Sequence, residues 1–127
     1  MQRIKGGRRL FLIGARSGAE GDAMRTTTVV VGQLVQLCGR LDGAGSGPAR
    51  DALHAALTAG SGRLVVDLAG VDLLDATGLG VLMGTHRRAR LAGRQLVLRD
   101  ASPRVARILR LTRVDRIIET ERAAVAA

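Results

Sequence analysis

The sequence predicts an α/β fold: a mostly parallel sheet of about five strands, with an antiparallel hairpin at one edge and three to four helices. Three observations carry this. Short apolar or β-branched runs alternate with amphipathic stretches of helical period. Glycine, proline and serine sit where those stretches should start and stop. The first two β-like runs are separated only by Gly32 and Gln33, so they pair as a hairpin, whereas the later runs are separated by whole helices and require right-handed parallel crossovers.

Thr27–Val31 is β-branched and reads as the first strand, with Leu34–Gly39 as its partner. Arg40-Leu41-Asp42 then runs into a glycine-rich loop through Gly47. Pro48 suits the first position of a helix, whose buried stripe is Ala49, Leu53, Ala56 and Leu57. Leu64–Leu68 reads as a short apolar strand suited to burial on both faces. Val71–Leu74 is a further apolar segment ending at Asp75-Ala76-Thr77-Gly78. A second helix is expected from Gly78 to about Leu91, with Leu79, Leu82, Met83 and His86 on one face and Gly93 at its end. Gln95–Arg99 is the next strand. Ser102-Pro103 opens a third helix with the buried stripe Val105, Ile108, Leu109 and Thr112. Arg116–Ile118 is expected as the last short strand, and Thr120–Ala127 as one or two helical turns.

The chain has 127 residues, 46% apolar and 24% charged, which suits one domain. Its 20 basic residues against 11 acidic give +9, and Lys5 is the only lysine. Six of the basic residues fall in the first 25, a glycine-broken segment that reads as a flexible basic tail, with Met24 as an alternative start and 26–127 as the single domain. Leu10–Ile13 is too short for a signal-peptide core and no apolar run approaches the ~18 residues of a membrane span. A cytoplasmic location without a membrane partner is therefore expected.

Composition excludes several classes. One cysteine forbids an internal disulfide, and Cys38 with His54 and His86 makes a poor zinc set. With Phe11 the sole aromatic, single strands cannot be held by base stacking. The Gly78-x-Gly80-x-x-x-Gly84 pattern lacks the strand that must directly precede a dinucleotide fingerprint, so Gly80 and Gly84 read as close helix packing. There is no phosphate-loop lysine and no Gly-x-Ser-x-Gly elbow. His86 reads as half-buried, His54 as a surface residue and Cys38 as a small core residue. No catalytic residue, metal ligand or cofactor is expected.

One segment carries a sharper signal. Thr77 sits where a helix begins, and its hydroxyl can cap the free amides of the first turn, while Asp72 and Asp75 flank a turn and read as capping it. A phosphate there would lie at the positive end of the helix dipole and bring about −1.5 to −2 charge to the surface.

Asp67 to Gly80 reads Asp-Leu-Ala-Gly-Val-Asp-Leu-Leu-Asp-Ala-Thr-Gly-Leu-Gly. Ala-Gly-Arg-Gln-Leu-Val-Leu and Ser-Pro-Arg-Val-Ala-Arg-Ile-Leu-Arg-Leu-Thr follow, and Gly39-Arg-Leu-Asp42 precedes. In these blocks the chain resembles a STAS domain, and specifically an anti-sigma-factor antagonist, over residues 27–119. The resemblance implies a STAS-like fold and a non-enzymatic role. The unphosphorylated domain would capture an anti-sigma factor that is also a kinase of the histidine-kinase-like ATPase fold, freeing the sigma factor. Phosphorylation at Thr77 would release that partner, and a PP2C-type phosphatase would restore binding. Asp42 would lie near the kinase's nucleotide, Asp75 would shape the acceptor loop, and Ala76, Gly78, Leu79 and Gly80 would join the contact surface. The family's acceptor is usually serine in Asp-Ser-Ser-Gly; here it is Ala76-Thr77, which removes a competing hydroxyl but supplies a stiffer acceptor. Two other readings stay open: a STAS subunit of a stress-signalling or transport complex without the switch, and a basic nucleic-acid-binding domain, although no direct nucleic-acid contact is expected.

Overall fold

A computed structural model describes residues 23–123 of the chain. The elements are β1 (Arg25–Val30), β2 (Leu34–Leu41), α1 (Ser46–Thr58), β3 (Arg63–Leu74), α2 (Ala76–Leu91), β4 (Gln95–Arg99), α3 (Pro103–Leu111), a 3-10 turn (Val114–Arg116) and β5 (Glu119–Glu121). They form one five-stranded sheet in the order β1-β2-β3-β4-β5. β1 pairs antiparallel with β2, through a turn that places Gly32 at φ +70, and every other pairing is parallel. This is the predicted fold class.

The strand order fixes where the helices go. Each crossover from β2 to β5 moves one strand in the same direction, and right-handed crossovers then put all three helices on one face. The core lies between that face and the helices. Val35, Leu37 and Leu41 of β2, Leu64, Val66 and Leu68 of β3, and Leu96 and Leu98 of β4 meet Leu53, Leu82, Val105 and Leu109. The opposite face carries Gln36, Asp67, Arg99 and Glu121 in one cross-strand row. Arg63 and Arg99 both pair with Glu121 there, at 2.6 and 2.9 Å. Both arginines hold the Glu121 carboxyl below the usual carboxylate range, Arg63 first.

Several expectations change in detail. Arg25 begins β1 rather than ending a tail, and the rest of the tail up to residue 22 lies outside the described residues. β3 is one strand of 12 residues, because its two apolar segments join through Ala69 and Gly70, where the register against β2 shifts. Arg116–Ile118 is not a strand. Val114 and Ile118 turn inward to the core, so the backbone makes a 3-10 turn first and β5 begins at Glu119. Thr120 and Glu121 are therefore strand rather than helix, and residues 124–127 lie outside the described range. Cys38 falls on the helix-free face, half-buried beside Gly70, because it alternates with the inward-facing Leu37 and Gly39. His54 is half-buried rather than at the surface, since α1 turns it toward Arg88 of α2.

Candidate functional site

Parallel register brings the predicted residues together. Leu41 and Leu74, the last residues of β2 and β3, are partners across the two strands. Asp42 and Asp75 follow them directly, so they stand side by side at the carboxyl ends of adjacent strands.

Each carboxylate organises one loop. Asp42 accepts a hydrogen bond from the Gly45 amide at 3.0 Å and pairs with Arg40 at 3.4 Å. That folds the glycine-rich loop into the start of α1, where the Ser46 hydroxyl donates to the Gly43 carbonyl. Asp75 is the N-cap of α2 and accepts from the Gly78 amide at 2.9 Å. The sequence offers Thr77 as the cap of a helix beginning at Gly78 and Asp75 as a cap of the preceding turn. The helix instead starts at Ala76, so Thr77 lies within its first turn and Asp75 makes the cap.

The consequence is chemical. Ala76 and Thr77 are exposed, and the cap bond that would otherwise engage the Thr77 hydroxyl belongs to Asp75. The amides of Ala76 and Thr77 have no carbonyl four residues back within the helix, so they point outward as donors at the positive end of the dipole. Gly78 is buried against the end of β2, Leu79 is half-buried on the core, and Gly80 is exposed one turn past Ala76. Two surface cavities, of about 320 and 270 Å³, are lined by residues of β4, β5 and their neighbouring helices, and Thr77 borders neither. This end of the domain presents the short side chains of Ala76 and Thr77, with Gly80, to solvent.

A family model described as "Mlab, STAS domain" matches residues 24–119. The chain belongs to the STAS-domain family. Among solved structures, an anti-sigma factor antagonist from Mycobacterium paratuberculosis is 25% identical, over 79% of this chain and 86% of that one, with a TM-score of 0.66. SpoIIAA, an anti-sigma factor antagonist, matches in its unphosphorylated form at 20% identity, over 80% and 89% of the two chains, with a TM-score of 0.62. The phosphorylated form of SpoIIAA, a Bacillus cell fate determinant, matches at 17% identity over 80% and 92%, with a TM-score of 0.61. These two likenesses are of fold.

Within this STAS domain the three glycines of α2 do different work. A Cβ on Gly78 would run into the Leu41 carbonyl oxygen and the Leu74 side chain, so glycine lets the helix start touch the end of β2. Gly80 and Gly84 were expected to permit helix packing, but a Cβ on either meets nothing within 4 Å. Gly78→Ala should therefore destabilise the domain by about 1–3 kcal/mol, the usual cost of overpacking. Gly84→Ala should stabilise it by roughly 0.5–1 kcal/mol through helix propensity. Urea denaturation of the two variants checks both signs.

Both histidines of the STAS domain are held below the ordinary imidazole value. Burial is the first cause for each, followed by Arg88 and Arg50 at His54 and by Arg90 and Arg87 at His86. The unfolded chain then takes up protons that the folded chain refuses. Stability should fall as pH drops below about 6.5, the reference value. Thermal unfolding between pH 7.5 and about 5 should show this decline, and replacing both histidines by Gln should flatten it.

Sequence reasoning missed Arg94. It is 6% exposed, and its guanidinium donates to the carbonyls of Ala56, Leu57, Gly62 and Gly32 at 2.6–3.0 Å. A charged residue in a loop gave no signal of burial; only its place between Gly93 and the strand Gln95–Arg99 could have hinted at it.

Proposed function

We propose that this STAS domain is an anti-sigma-factor antagonist whose capture of an anti-sigma factor is switched off by phosphorylation of Thr77. The observation that carries this reading is the exposed Thr77 in the first turn of α2, with the helix cap made by Asp75 instead. Membership of the family and the likeness to the Mycobacterium paratuberculosis antagonist support the role.

In the proposed reaction the γ-phosphoryl group of ATP passes to Thr77 Oγ1 and ADP leaves. The hydroxyl proton goes to a base on the kinase, which is the anti-sigma factor itself, of histidine-kinase-like ATPase fold. The phosphate then sits over the Ala76 and Thr77 amides, so α2 need not refold. It changes only the surface offered to the partner, adding charge and bulk where short side chains had been. Hydrolysis by a PP2C-type phosphatase returns the hydroxyl. Asp42, one strand over, would face the kinase's nucleotide. Calorimetric titration of the anti-sigma factor into unmodified and phosphorylated chain tests the proposal: tight binding of the first and loss with the second is expected, and equal affinity for both would refute it.

A second reading is a STAS subunit that binds constitutively within a larger assembly. It is favoured by Ala76-Thr77 standing where the family's serine pair would be. It predicts that Thr77 stays unmodified in the assembled complex.

A further inference from the structure

The exposed apolar residues are not scattered. The large ones among the described residues are Val29, Val30, Val31, Leu91, Leu111 and Ile117. Topology puts all six at one end. Val29–Val31 end β1 and enter its turn, beside the first residue of β2. Leu91 and Leu111 are the last residues of α2 and α3, which run back to the starting ends of β4 and β5. Ile117 shares a cavity wall with Arg90 and Arg94, just before β5. This is the amino-terminal edge of the parallel strands, the pole opposite Thr77.

The same pole is cationic. Arg88, Arg90, Arg110, Arg113 and Arg116 are exposed there, against Asp115 and Glu119. None of the five makes an ion pair among the described residues, whereas Glu119 is already paired with Arg63. At the acceptor end, where β2, β3 and β4 finish, Asp42, Asp72, Asp75 and Asp100 stand among the exposed Arg25, Arg40, Arg104 and Arg122, so the cationic excess belongs to the opposite pole.

We infer that this pole docks on the surface of an anionic phospholipid bilayer. The aliphatic residues come from four separate segments: Val29–Val31 project from the end of β1 and its turn, Leu91 and Leu111 from helix ends, and Ile117 borders a cavity. A bilayer accepts such projections without a matching shape, while the arginines around them pair with lipid phosphates. A protein interface would instead favour aromatic anchors at its centre, and there is none among the described residues. Nucleic acid would leave the six aliphatic side chains with nothing apolar to bury against. The contact is with the membrane surface: no helix among the described residues is long and apolar enough to cross a bilayer, and the sequence expectation of no membrane partner weighed only signal and spanning segments. It leaves Thr77 facing away from the membrane and does not depend on the proposed switch.

Co-sedimentation of the full chain with phosphatidylcholine vesicles, with and without phosphatidylglycerol, tests the inference. Binding is expected only to the phosphatidylglycerol vesicles, and should weaken with salt. Each of Arg110→Gln, Arg113→Gln and Arg116→Gln should lower the affinity about fivefold. Leu111→Ser and Val31→Ser, both at exposed positions and checked for an unchanged circular dichroism spectrum, should also weaken it, while Thr77→Glu should bind as the parent does. No binding to anionic vesicles would overturn the inference. So would binding that the arginine variants lose but the serine variants keep, or equal binding to duplex DNA, because either shows simple adsorption to a polyanion.

Discussion

Thr77→Glu should weaken binding to the anti-sigma factor by about 30-fold or more, while Thr77→Ala and Thr77→Ser should stay within a few-fold of the parent. The figure follows from placing an unpaired charge in the proposed contact, where the parent offers a neutral hydroxyl. Such a mismatch costs roughly 2 kcal/mol or more, and each 1.4 kcal/mol is about tenfold in affinity. Glutamate carries less charge than a phosphate and reaches less far over the Ala76 and Thr77 amides, so phosphothreonine should weaken binding further. Stability should hardly change in any of these variants, because Thr77 is exposed and the cap bond belongs to Asp75. Asp75→Ala separates the two roles from the other side: loss of the N-cap should cost about 1 kcal/mol of stability.

The largest loss of stability is expected at the other end of the domain. Arg94 donates from Nη1 to the carbonyls of Ala56 and Leu57, in the last turn of α1, each at 3.0 Å. From Nε and Nη2 it reaches Gly62 at 3.0 Å and Gly32 at 2.6 Å. One side chain thus joins the end of α1, the β1–β2 turn and the loop entering β3. No carboxylate pairs with it among the described residues. The charge is met by carbonyl dipoles, two of them at the negative end of a helix. Arg94→Ala takes the guanidinium from the Leu57 and Gly32 carbonyls, while those of Ala56 and Gly62 keep the Ala59 and Gln95 amides, and the loss of four bonds and of the buried side chain should cost roughly 3 kcal/mol. In a domain of this size that lowers the unfolding midpoint by about 10–20 °C. Arg94→Lys should recover only part of the loss, because one ammonium cannot span acceptors in several directions. Thermal unfolding followed by circular dichroism measures both.

Periodicity and punctuation were enough to read the sheet, the hairpin and the three helices, because the buried stripes Ala49–Leu57 and Val105–Leu109 and the cap Ser102-Pro103 are local signals. What they could not supply was tertiary. Arg116–Ile118 looks like a strand because two isoleucines adjoin, but only Ile118 faces the core, and that choice depends on α3. Val71–Leu74 looks separate from Leu64–Leu68 because Ala69-Gly70 interrupts the pattern, yet β2 continues alongside and keeps the strand intact. At the candidate site the positions were legible, since Asp42 and Asp75 each follow a strand and Thr77 lies in the first turn of a helix. The division of labour between Asp75 and Thr77 was not, because a helix starting one residue earlier exchanges their roles. Arg94 was invisible for a related reason: its acceptors lie more than thirty residues away in sequence.

The central claim is tested most directly by tandem mass spectrometry of the full chain after incubation with its anti-sigma-factor kinase and ATP, set beside the same experiment on Thr77→Ala. The proposed switch predicts a single phosphate on Thr77, absent from the variant and removed by a PP2C-type phosphatase. Phosphate on another residue, or a chain that binds the kinase yet stays unmodified, would contradict it.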